Sequence, residues 1–149
     1  MPSENIHMTL FFLGNVSLDG IPKLIKILEE TLDLNHFRAS VIKTGVFPSV
    51  WNPKILWLGV GSGRQKIIAL QKQVGKVAAS FKVGKKKERF IPHITIGRVA
   101  LSGSKIDFLP FLKYVYSHIE LDVNSLALYE SQPLPEGAAY KMLTTFPLN

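Results

Sequence analysis

Two short patterns in the sequence carry groups suited to acid–base chemistry: His7-Met8-Thr9-Leu10 and His93-Ile94-Thr95-Ile96, each reading His, apolar, Thr, apolar. Side chains alternate along an extended chain, so the His and Thr of each copy project from one face and the apolar pair turns to the other. Imidazole titrates near neutrality and serves as either base or acid. Two imidazoles on opposite sides of a phosphorus atom can deprotonate a nucleophile and protonate a leaving oxygen. Two Thr hydroxyls can donate to the non-bridging oxygens, whose charge grows in the transition state. The scheme calls for no metal and no cofactor. No Ser or Cys nucleophile adjoins either His, so reaction at a phosphodiester, above all a strained cyclic one, fits better than acyl transfer. One such pattern is weakly specific; two copies, each heading an equivalent element of a repeat, make the catalytic reading the stronger one.

The surrounding elements follow from periodicity. Ile6 to Leu13 is apolar and predicts a buried strand closed by Gly14-Asn15. Leu18 to Leu34 has Ile21, Leu24, Ile25, Leu28 and Leu32 at helical spacing, with Asp19 as N-cap and Pro22 in the first turn. Strands are expected at Phe37 to Lys43 and Ile55 to Val60, and a second amphipathic helix at Arg64 to Phe81. Gly59-Val60-Gly61-Ser62-Gly63 lacks the Lys-Ser/Thr of a nucleoside-triphosphate loop and reads as a turn and cap. A strand from His93 to Val99, a short helix within Asp107 to Tyr116, and strands near Ile119 to Tyr129 and Ala139 to Phe146 complete the chain. Ser131 to Gly137 is expected to break the last two. The second half thus reads helix, strand from His93, helix, strand, strand. The first half repeats this from a strand at His7 onward.

Composition narrows the chemistry. A chain of 149 residues with 46% hydrophobic and 19% charged residues is long enough for one globular core. With no cysteine there is no disulfide framework, thiolate metal site or cysteine nucleophile. No apolar run approaches the roughly 20 residues that span a bilayer, and Glu4 stands where a secretion signal carries positive charge. A cytoplasmic chain with no membrane partner is expected. The net charge is +7, and the 54 positions from 34 to 87 hold eleven Lys and Arg and no acid. That imbalance favours a polyanion. The run Lys82 to Arg89 reads equally as an RNA guide or a solvated loop. His36 and His118 have no matching Thr and read as exposed or capping residues, while Phe12 and Phe47 are core residues before they are base-stacking ones.

The segments Asn5 to Gly14 and Arg89 to Arg98, with Pro53 to Val60, Leu128 to Ser131, Gly137 to Tyr140 and Phe146 to Leu148, resemble the 2H phosphoesterase superfamily. Within it they resemble the RNA 2′,3′-cyclic phosphodiesterases historically called 2′-5′ RNA ligases. The resemblance covers nearly the whole chain. It implies a bilobal, pseudo-twofold α+β fold, with antiparallel sheets around a central cleft and helices outside. The single domain 1–149 would have a first lobe of about 1–60 and a second of about 61–149. It also implies metal-independent opening of an RNA or nucleotide 2′,3′-cyclic phosphate to a 2′-phosphate, and reverse 2′-5′ ligation. His7 would protonate the departing 3′ oxygen and His93 would activate water, while Thr9, Thr95 and Arg98 would hold the phosphate. Arg98 is five residues after His93, so a regular strand would turn it away. A bulge at Gly97 or an end of the strand there would restore it.

The chain begins six residues before His7, whereas the family it resembles carries a strand and a helix ahead of the first motif. This predicts an N-terminally incomplete first lobe with an exposed sheet edge, and either a homodimer through that edge or reduced stability. Two other functions fit the residues: a nucleotide- or RNA-binding module of the same fold without turnover, and a 2H enzyme acting on another cyclic or 2′-5′-linked nucleotide.

Overall fold

The structure is a computed structural model that describes residues 3–84, 89–99, 106–135 and 137–149. Lys85 to Glu88, the centre of the basic run, lie outside the described residues. Among the described residues three α-helices, α1 (Gly20–Thr31), α2 (Arg64–Ser80) and α3 (Leu109–Leu112), accompany six strands: β1 (Phe37–Phe47), β2 (Ile55–Val60), β3 (His93–Arg98), β4 (Ile119–Val123), β5 (Ser125–Leu134) and β6 (Gly137–Pro147). A four-stranded sheet has the order β3-β2-β1-β4, and β5 and β6 form a two-stranded antiparallel sheet. The pairs β1–β2 and β2–β3 are also antiparallel. The α+β class with antiparallel sheets is as expected.

The residues group into two compact units, each drawn from three stretches of chain. One contains Met1–Thr9, Arg38–Arg64 and Ile91–Leu121; the other contains Leu10–Phe37, Gln65–Phe90 and Asp122–Asn149. These units interleave along the sequence. The reason is the sheet: β3, from the second half, pairs with β2, from the first, so spatial grouping cuts across chain order.

The second unit has a core of Leu24 and Leu28 from α1, Val77 from α2 and Phe146 from β6, all at most 4% exposed. Leu13, Val74, Phe81, Leu126 and Leu128 pack around them. The helical spacing read from the sequence therefore does select the buried stripe. Asp19 makes no side-chain cap; instead Gly20 N–H donates to Ser17 O at 2.9 Å and Ile21 N–H to Leu18 O at 3.3 Å, so a backbone turn starts α1. The expected breaker at Ser131 to Gly137 is mostly strand. Pro133 is accommodated opposite Ala138 because, among the described residues, β5 has only β6 as a neighbour and need not donate on its other edge.

In the first unit Ala39, Val41, Val46 and Val60 are the buried apolar residues of β1 and β2. Ser40 N–H donates to Ser62 O, Gly61 N–H to Ser40 O, and Ser62 N–H to the Ser40 hydroxyl at 2.9 Å. Gly63 has φ +74, and a Cβ there would meet Arg38 O at 2.8 Å. The glycine-rich segment is thus a turn locked onto β1, as read. The predicted strand at Ile6 to Leu13 does not form: these residues join no ladder, and an extended segment becomes a strand only when a partner takes its backbone bonds. The two copies of the pattern therefore sit on different local structures.

Candidate active site

β3 is held by β2 through the pairs Gly59–His93, Leu58–Ile94, Trp57–Thr95, Leu56–Gly97 and Ile55–Arg98. Residues directly opposite each other in an antiparallel pair share a face. His93 and Thr95 therefore lie on the face that carries Gly59, Trp57 and Ile55. Between Trp57 and Leu56 the register shifts, with Ile96 as the extra residue of β3. This bulge reverses the parity of everything after it. Arg98, opposite Ile55, returns to the face of His93 and Thr95. A Cβ on Gly97 would make only ordinary contact with Leu56, at 3.6 Å, so the bulge does not depend on glycine for space.

β1 extends the same face. Gly59 pairs with Lys43, Trp57 with Gly45 and Ile55 with Phe47. The Phe47 and Trp57 rings lie 5.0 Å apart, tilted by 30°, and the His93 ring meets Phe47 edge-on at 5.0 Å and 85° and Trp57 at 6.1 Å. A Cβ on Gly45 would collide with the Trp57 indole, so the indole lies flat over that residue and Gly45 is required there. The indole N–H of Trp57 is buried with no acceptor among the described residues. Behind the sheet, Thr44 Oγ1 donates to Leu112 O at 3.3 Å and anchors α3. The Tyr116 hydroxyl donates to Lys43 O at 3.3 Å, and burial pushes its pKa up. Sequence reasoning missed Trp57 and Gly45; the signal was a Trp in a strand with a glycine available to face it, visible only once the register is known.

The imidazole of His93 is oriented by one short bond. Nδ1–H donates to Ile91 O at 2.7 Å, which leaves Nε2 as the free-facing nitrogen of the neutral ring. His7 makes the same bond: Nδ1–H donates to Asn5 O at 2.7 Å. Its Nε2 faces Thr9 Oγ1 at 3.1 Å, accepting from the hydroxyl when neutral and donating to it when protonated. A one-turn 3₁₀ helix, Ser3–Asn5, and the bond from Ile6 N–H to Ser3 O at 3.0 Å position the Asn5 carbonyl. His7 is exposed, whereas His93, Thr9 and Thr95 are half-buried and Arg98 is exposed. All five residues belong to the first unit. Among the described residues no cluster of three His, Asp or Glu side chains forms a metal's donor set.

The profile of the 2′-5′ RNA ligase superfamily matches residues 3–133. The chain belongs to this superfamily. Its relatives include the RNA 2′,3′-cyclic phosphodiesterase of Aquifex aeolicus (strain VF5), 35% identical over 148 residues that cover 96% of this chain and 78% of the relative. The protein of the same description from Thermotoga maritima is 32% identical, over 94% of this chain and 74% of its own. Among solved structures, TT0787 of Thermus thermophilus superposes with a TM-score of 0.80 at 22% identity, covering 99% of this chain and 80% of that one. E. coli LigT complexed with 3′-AMP gives 0.78 at 24% identity, covering 99% and 79%. The superfamily's 2H phosphoesterase fold is the fold of this chain. No helix among the described residues is long and apolar enough to cross a membrane.

Proposed function

We propose that this superfamily member opens the 2′,3′-cyclic phosphate of RNA to a 2′-phosphate by two-histidine catalysis without a metal. The reading is supported by the shared anchor of the two imidazoles, Nδ1–H to the carbonyl two residues earlier, which commits both Nδ1 atoms and assigns proton transfer to Nε2, in His7 an atom bonded to the Thr9 hydroxyl. The relatives' description supplies the substrate class. His93 Nε2 takes a proton from water, the water oxygen bonds to phosphorus, the bond from phosphorus to O3′ breaks, and His7 Nε2–H gives its proton to O3′. Thr9, Thr95 and Arg98 hold the non-bridging oxygens as their charge grows. With a 5′-hydroxyl RNA end in place of water, the same proton transfers join a 2′-5′ bond, and their reverse cleaves that bond to the cyclic phosphate.

The test incubates a short RNA ending in a 2′,3′-cyclic phosphate with the protein in EDTA, beside His7→Ala and His93→Ala. Wild type yields 2′-phosphate, and each variant loses about 10²–10⁴ in rate, the scale of a positioned acid or base. A substrate with sulfur at the 3′ leaving position separates the roles, because a thiolate departs without a proton. It restores much of the rate to His7→Ala and none to His93→Ala. Chelator-sensitive turnover overturns the metal-free scheme, and RNA binding without turnover overturns the enzyme.

A further inference from the structure

The β1–β2 loop presents Trp51 at 92% exposure, more than any other large hydrophobic side chain among the described residues, with Val50 at 55%. The ring is displayed on a loop that is well tied down. Lys54 N–H donates to Phe47 O at 2.7 Å, Asn52 N–H to Ser49 O at 3.3 Å, and Val99 N–H to Lys54 O at 2.9 Å. Pro48 and Pro53 stiffen both arms. Its roots, Phe47 and Ile55, form the last row of the face that carries His93, and Arg98 stands opposite Ile55 in that row. From the Trp57–Thr95 row to Lys54 is three residues of nearly extended chain, roughly 10 Å at about 3.3 Å each. The loop therefore extends past the ground held by a phosphate at His93 and Thr95.

We propose that Trp51 is a stacking platform for a nucleobase of single-stranded RNA upstream of the reacting phosphate, with Lys54 beside it for the connecting backbone. This rests on the RNA phosphodiesterase reading. An exposed indole with Lys54 three residues on, in a stretch of 54 positions without an acid, suits a single strand: every base has a face to stack, and a cation meets the phosphates. A protein-docking patch has a broad apolar centre. Here Trp51 and Val50 lie between Ser49, Asn52 and Lys54, which suits one base better than a second chain.

The experiment measures kcat/KM on a tetranucleotide and on a mononucleoside, both ending in a 2′,3′-cyclic phosphate, for wild type, Trp51→Ala and Trp51→Phe. Trp51→Ala lowers the tetranucleotide value about 5- to 150-fold, the equivalent of about 1–3 kcal/mol per stacked base. The loss is chiefly in KM; the mononucleoside value is unchanged, and Trp51→Phe retains most of the activity. Equal losses on both substrates, or none on the tetranucleotide, overturn the platform. Affinity for an unreactive tetranucleotide with a 3′-phosphate is measured in parallel. If wild type turns over neither substrate yet binds this RNA at least fivefold tighter than Trp51→Ala, the phosphodiesterase reading fails and the platform stands. If Trp51→Ala binds as tightly as wild type, the platform fails. A dimer in sedimentation that Trp51→Ala dissolves assigns the ring to a second copy instead.

Discussion

His7 and His93 share one bond and little else. In both, Nδ1–H donates at 2.7 Å to the carbonyl two residues earlier, a contact that any extended His with a suitably turned neighbour can make for itself. Beyond that bond His93 is supported from afar: β2 fixes its strand, and Phe47 and Trp57 enclose its ring. His7 is exposed, belongs to no ladder, and has its other nitrogen on the Thr9 hydroxyl two residues away. A device confined to three residues repeats wherever the pattern repeats, while the wider support depends on long-range pairing that the pattern does not encode. His93 should therefore respond to substitutions far from it in sequence.

The largest such effect is expected at Gly45. A methyl group there meets the Trp57 indole, which must leave its place over β1 and disturb its edge contact with His93. Gly45→Ala should cost about 1–3 kcal/mol of stability, as overpacking does, read from chemical denaturation. It should lower the single-turnover rate roughly 10²-fold through a misplaced imidazole. Adding Trp57→Phe withdraws the colliding ring and the unpartnered indole N–H together, so the double variant should recover part of both losses. Losses that simply add would break the picture of a clamp acting on His93.

A smaller difference separates the two threonines. Thr9 both bonds His7 and would hold phosphate, whereas no bond joins Thr95 to His93 in the structure's hydrogen-bonding pattern. Valine keeps the branched shape and removes the hydroxyl. Thr9→Val should lower kcat about 3- to 10-fold more than Thr95→Val, the scale of one additional hydrogen bond at about 0.5–1.5 kcal/mol. Equal losses would mean that the Thr9 hydroxyl does nothing for the His7 ring during turnover.

Much of this was legible from residue order because it is local. Helical spacing located α1 and α2 and selected Leu24 and Leu28 as core, and β2 runs over Ile55–Val60 as its β-branched and aromatic content predicted. The His-x-Thr-x spacing identified four residues and the family resemblance added Arg98, and all five fall in one unit. What remained hidden was relational. Ile6 to Leu13 has strand composition but no ladder, since composition cannot supply a partner. The face of Arg98 turned on a bulge placed by register, which the sequence narrowed to Gly97 and the pairing assigned to Ile96. Trp57 over Gly45 joins two strands in a match that no single-chain periodicity records. The compact units each draw on three stretches of chain that sheet pairing brings together.

The smallest effect tests the shared bond itself. Pro92 precedes His93 and is almost completely buried. A proline restricts the residue before it to extended backbone, so Pro92 holds Ile91 in the conformation whose carbonyl meets His93 Nδ1. The corresponding position of the first copy is Ile6, whose N–H is in use: it donates to Ser3 O and closes the turn that presents Asn5. One copy therefore sets its carbonyl by a ring constraint and the other by a hydrogen bond. Pro92→Ala frees Ile91 and should cost about 0.4–1 kcal/mol of stability, with a kcat loss of a few-fold. Ile6→Pro cannot transfer the constraint, because it removes the N–H on which the first anchor depends, and its kcat should fall further than that of Pro92→Ala. Measured side by side, a gain in kcat for Ile6→Pro would show that the two anchors are interchangeable and would erase the distinction between the copies.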